Sequence, residues 1–299
     1  MDLGSDTIKL VELKKQKGRP QVWTYGLVHI PTPEKQETDK EKIERLGAAL
    51  RMAAARAKVT ATQAAASLPV SQVFHTIVTL PEGDVKTHES IIRGEVRKMV
   101  SRSIEEMEII HQTIPRSEDE KKRKYQRELV TVAPKDLIAL YTAIFQKAGL
   151  HLTALETEAF ALSRSLVGKD GAPAIIVDMG NARTNVFVVD QGIPMTHRST
   201  NIGGKDLDAI IARVLQIDLQ QAKHIKRDIA AVSFSETLPL ELFKTAFDPI
   251  VKEIQQSIDV FSHQVGGGGQ PEKIILTGGS ALFPAVSALL SRNFSLRVF

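Results

Sequence analysis

Two short stretches carry the residue types that can hold a metal-bound phosphate. Asp2-Leu3-Gly4-Ser5-Asp6-Thr7-Ile8-Lys9 runs straight into Leu10-Val11-Glu12-Leu13. Far downstream, Ala174-Ile175-Ile176-Val177 leads into Asp178-Met179-Gly180-Asn181-Ala182-Arg183-Thr184-Asn185, then Val186-Phe187-Val188-Val189, closing at Asp190-Gln191-Gly192. Each reads as a strand, an Asp-x-Gly tight turn with small polar residues, and a second β-rich strand. Gly4 and Gly180 lack a Cβ, so main-chain N–H groups can come close to a phosphate. Ser5, Thr7 and Thr184 add hydroxyl donors. Asp2 and Asp178 suit hydrated Mg²⁺, which keeps several waters and takes one or two carboxylates plus phosphate oxygens. Lys9 supplies a compact positive charge for the β- and γ-phosphates.

One Asp-x-Gly alone would be read as a hairpin turn and no more. Two copies, one per half of the chain, point instead to two similar lobes. A third element agrees with them. Lys273-Ile274-Ile275-Leu276-Thr277-Gly278-Gly279-Ser280-Ala281 is a buried strand ending in paired glycines, and Leu282-Phe283-Pro284-Ala285 follows where a helix can start. A strand–Gly-Gly–helix passage lets the backbone lie flat against a base or ribose.

The elements that must position these residues belong to a chain of ordinary composition. Its 299 residues allow about two domains, or one bilobed body. With 42% hydrophobic and 25% charged residues it is neither disordered nor fibrous. It has no cysteine, which removes disulfides, thiolate nucleophiles and sulfur-ligated metals and suits a reducing compartment. The 39 basic against 35 acidic residues are too even to argue for nucleic acid. No apolar run approaches the roughly 18 residues that cross a bilayer, and the N-terminus does not read as a signal peptide. The histidines never fall at metal-ligand spacing. Gly168-Lys169 and Gly204-Lys205 fail as P-loops, because Ser163 and Ser199 stand where the first glycine belongs.

Along the chain, Val73 to Pro81 alternates as a strand, and about Thr87 to Ser103 reads as a helix. Met107–His111 and Glu128–Ala133 read as two further strands. Pro134 opens a helix through Lys147, capped by Gly149. The intervening run Arg116 to Arg127 holds six basic and three acidic residues around Tyr125. It reads as a solvated loop, with anionic lipid headgroups the sharper alternative. Gly203-Gly204 precedes a helix to Leu215 whose apolar face is Leu207, Ile210, Ile211 and Val214. From Pro239 to His263, Phe243, Phe247, Ile250, Ile254, Ile258 and Phe261 recur at steps of three and four, the stripe of a long core helix. The four glycines Gly266 to Gly269 read as a surface loop.

On Asp2–Lys9, Asp178–Thr184, Asn201-Ile202-Gly203-Gly204, Leu276–Ala281 and the segment Ala148 to Leu162, the chain resembles the actin-like ATPase superfamily. Within it, the resemblance is to the PilM family of type IV pilus assembly, with FtsA-type division proteins as near cousins. The resemblance implies an α/β, ribonuclease H-like two-lobed fold with an inserted 1C-type β-α-β-β-α subdomain. Lobe one would comprise residues 1–72 and 151–172, the insert 73–150, and lobe two, with 2A- and 2B-like parts, 173–299. It implies ATP and Mg²⁺ as cofactors. Asp2, Gly4, Ser5, Thr7, Lys9, Gly180, Asn181, Thr184, Gly203, Gly204, Lys226, Gly278, Gly279 and Ser280 would bind the nucleotide, and Asp2 and Asp178 the metal through water. Glu158, with Asp178 second, would orient an attacking water. The implied partner is the N-terminal cytoplasmic peptide of a PilN-like inner-membrane protein, alongside other pilus assembly proteins. The implied location is the cytoplasmic face of that membrane, touched only indirectly.

Two departures matter. Relatives carry an Ala-Glu-x-x-Lys pattern whose Glu binds the ribose hydroxyls, but here Ala222-Lys223-His224-Ile225-Lys226 puts a lysine at the acidic place, and a lysine cannot accept those protons. Both ends also look clipped against the family, so a ladder gap is expected beneath loop one. Two other readings stay open. One is a small-molecule kinase of the same superfamily, which would need a general-base Asp outside the phosphate loops. The other is an FtsA-like filament former, whose membrane-targeting tail is not seen here.

Overall fold

The computed structural model describes residues 1–30, 33, 35–81, 83–115, 124–231, 239–265 and 269–299. Most of the basic run, Arg116–Arg123, and Gly266–Gly268 lie outside the described residues. The chain divides into two compact units, Met1–Glu158 and Ala159–Phe299.

The first unit opens with a meander of β1 (Asp2–Leu3), β2 (Thr7–Gln16) and β3 (Arg19–His29), all antiparallel. The β2–β3 turn uses Lys17 and Gly18, both at positive φ (46° and 79°), the turn geometry that matches strand twist. α1 (Asp39–Arg56) starts at Thr38, whose hydroxyl takes the Glu41 N–H while the Glu41 carboxylate takes the Thr38 N–H. β4 (Gln63–Leu68) follows. Then come β5 (Phe74–Pro81), α2 (Val85–Met99), β6 (Met107–Thr113), β7 (Tyr125–Pro134), α3 (Lys135–Ala148) and β8 (His151–Thr157). β4 and β8 pair in parallel. Main-chain bonds of Met1 tie β1 to β4, with Met1 N donating to Ala65 O (2.9 Å) and Ser67 N to Met1 O (3.2 Å).

Two cores form in this unit. Ile8 and Leu10 of β2, Leu46 and Leu50 of α1, and Tyr141, Ile144 and Phe145 of α3 pack into one. The other belongs to the β5-β7-β6 sheet and α2: Val78, Leu80, Ile92, Val96, Met107, Val130 and Val132. α3 therefore sits in the first core, although it follows β7 directly in sequence. The helix expected to Ser103 ends at Met99, where Val100 turns extended. Gly149 closes α3 in the left-handed region at φ 80°, a conformation that costs glycine no Cβ clash.

The second unit begins with α4 (Glu158–Leu162), counted from the last residue of the first, and a π-helical turn over Ser163–Val167. β9 (Ala174–Met179), β10 (Thr184–Asp190) and β11 (Ile193–Thr200) form a meander. α5 (Gly204–Leu215), α6 (Leu219–Ala231), α7 (Glu241–Val265), β12 (Lys273–Thr277), α8 (Pro284–Asn293) and β13 (Arg297–Val298) complete it. The sheet order is β11-β10-β9-β12-β13, with β12 parallel to both neighbours. All six apolar residues expected on α7 are buried. On α5 the expectation is corrected at Val214, which is 37% exposed, whereas Leu207 and Ile211 are fully buried.

The duplication read from two turns thus extends to whole sheets. Each unit has an antiparallel three-strand meander, and each has a parallel pair beyond it. The difference lies in the first strand of each meander: β1 pairs two residues with β2, and β9 pairs six with β10. Met1 main-chain bonds join β1 to β4.

Candidate functional site

The two Asp-x-Gly turns share one geometry. Gly4 N donates to Thr7 O at 2.9 Å, and Gly180 N donates to Arg183 O at 2.9 Å. A Cβ at Gly4 would meet Thr7 O at 3.0 Å, and one at Gly180 would meet Arg183 O at 3.2 Å. The ladder registers correspond as well: Asp2 stands opposite Lys9, and Asp178 opposite Asn185. The sequence repeat is therefore a repeat of hydrogen bonds, not only of letters.

In the first unit, Lys9 Nζ donates to Asp2 Oδ2 at 2.9 Å, and both side chains remain substantially exposed. An exposed pair of this kind adds little stability, so its cost to a ligand that recruits either partner is small. Glu158 follows β8, and its carboxylate accepts the Val70 N–H at 3.4 Å. Tyr141, on α3, is a residue the sequence reading passed over. Burial pushes its phenol well above the ordinary value, and the carboxylates of Glu158 and Asp2 push it further. The phenol thus stays protonated, a donor in the electrostatic reach of both carboxylates. Its signal in sequence, one tyrosine on the apolar face of a helix, is indistinguishable from a core residue.

In the second unit, four segments meet beside Gly180. Gly204 N donates to Gly180 O (2.9 Å), Lys205 N to Asn181 O (2.9 Å), and Ser280 Oγ to Gly180 O (3.2 Å). The Gly203 N–H goes to the Asp206 carboxylate at 2.8 Å. The first donors of α5 are therefore spent on the turn, which fixes the helix to the hairpin. Gly203 and Gly204 act here as close-approach residues: a Cβ on Gly203 would lie 2.5 Å from Asn181 O, and one on Gly204 would collide with Ser280 Oγ. Thr184, expected to offer its hydroxyl to phosphate, is fully buried and donates to Ile202 O at 2.7 Å. That bond ties β10 to the segment entering α5.

Gly278 sits at φ 89°, where a Cβ would collide with the Met179 carbonyl and lie 2.8 Å from Asp178 Oδ1. The Gly-Gly turn therefore backs directly onto the Asp178 carboxylate. Gly279 is exposed and would meet nothing within 4 Å, which leaves an open flank beside the buried Ser280. Lys226 on α6 reaches this corner: its Nζ donates to Gly204 O at 2.9 Å and lies 2.6 Å from Asp208 Oδ1. Lys223 is exposed on the same helix. Among the described residues, no group of three or more His, Asp or Glu could hold a metal ion. Among the same residues, no helix is long and apolar enough to cross a membrane.

A family model described as type IV pilus assembly protein PilM matches residues 1–299. The ethanolamine utilization protein EutJ of Salmonella typhimurium is 26% identical over 152 residues, 50% of this chain and 48% of that protein. The chain thus spans about half the length of the curated relatives it matches. Among solved structures, the PilM-PilN type IV pilus biogenesis complex is similar with a TM-score of 0.78 at 19% identity, covering 99% of this chain and 85% of that one. MreB5 of Spiroplasma citri bound to ADP gives 0.50 at 13% identity, covering 92% and 74%. The fold is accordingly that of the actin-like ATPases.

Proposed function

The chain belongs to the PilM family of type IV pilus assembly proteins, and from that premise we propose that it is an ATP-binding scaffold of the pilus assembly machinery. In this reading it docks the N-terminal cytoplasmic peptide of a PilN-like inner-membrane protein and works at the cytoplasmic face of that membrane. The observation that carries the reading is the family match along the whole chain, joined to the fold shared with the protein of the PilM-PilN complex.

The residues fit a nucleotide. Matching Gly turns let main chain approach phosphate, and Lys9 and Asp2 offer a cation and a carboxylate that separate at small cost. Gly278 leaves room for the Asp178 carboxylate, which a Cβ there would meet at 2.8 Å. We assign Asp2, Gly4, Ser5, Thr7, Lys9, Gly180 and Asn181 to the phosphates, and Gly278, Gly279, Ser280, Gly204 and Lys226 to the nucleoside. Mg²⁺, held through water by Asp2 and Asp178, would neutralise phosphate charge when bound. For in-line attack on the γ-phosphate, Glu158 is the carboxylate assigned to orient water, with Asp178 second. The insert proposed over residues 73–150 takes in β5, α2, β6, β7 and α3; its sheet and α2 share one core, and α3 packs into the other.

Titration calorimetry with ATP·Mg²⁺ tests the site. Asp178→Ala should weaken binding at least roughly tenfold, the loss expected when a charged hydrogen-bonding group is removed. Undiminished binding in both Asp2→Ala and Asp178→Ala refutes the placement. Capture of the protein by an immobilised N-terminal peptide of a PilN-like protein tests the partner, and no retention at micromolar peptide ends that part of the reading.

A further inference from the structure

Asp208 was not singled out by any motif, yet among the described residues it is the most deeply buried carboxylate of the second unit, 1% exposed. It lies on α5, one turn in from Gly204. Lys226 Nζ, from α6, stands 2.6 Å from its Oδ1, with side-chain exposures of 16% and 2%. The contact is off the axis of a good hydrogen bond, and Oδ1 has no other partner among the described residues. Lys226 is thus the compensation for that buried charge. A buried ion pair is seldom needed for stability, since apolar residues of similar volume often serve as well. Its retention at this place calls for another reason.

The surroundings supply one. A Cβ on Gly204 would collide with Ser280 Oγ and lie 3.1 Å from Lys226 Nζ and 3.5 Å from Asn181 Oδ1. Polar atoms from the second hairpin, α6 and the Gly-Gly turn therefore converge on one spot, which only glycine admits. An ammonium has three N–H donors. Lys226 donates one to Gly204 O and pairs by charge with Asp208, and the open flank at Gly279 adjoins the same corner.

We propose that Asp208 is a positioning residue for nucleoside recognition: it holds Lys226 so that the remaining N–H meets a neutral acceptor, a base nitrogen or a ribose oxygen. Because the pair carries no net charge, it does not serve a phosphate. This rests on the nucleotide reading above, and it assigns the selectivity of the second unit's corner to a buried carboxylate rather than to Lys223.

The test compares binding of ATP and of inorganic tripolyphosphate to the full chain and three variants, with thermal unfolding recorded for each. Asp208→Asn and Lys226→Met should each weaken ATP roughly ten- to a hundredfold, as loss of a hydrogen bond from a charged group implies, and leave tripolyphosphate unchanged. The single variants strand a buried charge and could unfold, so the double variant Asp208→Leu/Lys226→Met removes both charges together. It should melt close to the parent and show the same selective loss of ATP. Equal loss of ATP and tripolyphosphate, or ATP affinity unchanged in a folded double variant, overturns the assignment of Asp208 alone. Failure of the parent protein to bind ATP overturns it together with the nucleotide reading.

Discussion

At position 278 a side chain has nowhere to go. The backbone is at φ 89°, and a Cβ would collide with the Met179 carbonyl and press on Asp178 Oδ1. Gly278→Ala should therefore destabilise the protein by about 1–3 kcal/mol, the usual cost of a residue held in a disfavoured conformation, read as a lower urea midpoint. Because the collision displaces Asp178, affinity for ATP·Mg²⁺ should fall as well. Gly279→Ala is the control: nothing lies within 4 Å of its Cβ position, and it should leave the midpoint nearly unchanged. The glycine at 278 was legible in the sequence, since paired glycines after a buried strand announce a close approach. Asp208 and Tyr141 were not. A single Asp on a helix with a strong apolar stripe reads as a solvated face, and only the arrival of Lys226 from α6 reveals that it is buried.

The hairpins carry the lesson for elements. Val11 stands opposite Tyr25 and Leu13 opposite Val22 on one face of β2–β3, with exposures of 52%, 76%, 58% and 63%. On β10, at the matching places of the duplicated meander, Phe187 and Val189 are fully buried. Tyr25→Lys should raise solubility and lower binding of an apolar dye, with a stability change within about 0.5 kcal/mol, as for surface sites in general. A dye signal that does not fall argues against this face as the source. The exposed face of β2 was not visible in the sequence, since apolar Val11 and Leu13 point outward and Glu12 between them is buried, but the long stripe of α7 was, because period and length both favour one answer. The place of α3 was not visible, since no periodicity says which of two cores a helix joins.

The β5-β7-β6 sheet offers a pH test at the same scale. Burial pushes the His75 imidazole down from 6.5 to about 4. The unfolded chain therefore takes up a proton near pH 6.5 that the folded one refuses until about pH 4. Stability falls as pH drops through that window, by up to roughly 3 kcal/mol at 1.36 kcal/mol per unit. Urea unfolding from pH 7 to 4 should show a shallower decline in His75→Gln than in the parent. Parallel curves would mean that His75 is not the source.

For the molecule as a whole, ligand linkage is the broadest check on the proposed function. A nucleotide bound only by the folded state at a hundred times its dissociation constant stabilises it by about 2.7 kcal/mol. ATP with Mg²⁺ should raise the melting temperature, chelation by EDTA should reduce the rise, and Asp178→Ala should abolish it. A rise indifferent to EDTA would remove Mg²⁺ from the reading and leave the nucleotide. The repeat of the hairpin was legible because the same turn occurs twice; the unequal first strands were not, since ladder length is a property of pairing.

That inequality has a kinetic consequence. With two rungs on one side of the meander and six on the other, the first hairpin is the easier of the two to unzip locally. In deuterated solvent the amides of Gly4 and Leu3 should exchange well before those of Gly180 and Val177. Added ATP with Mg²⁺ should slow exchange at Gly4 by the larger factor.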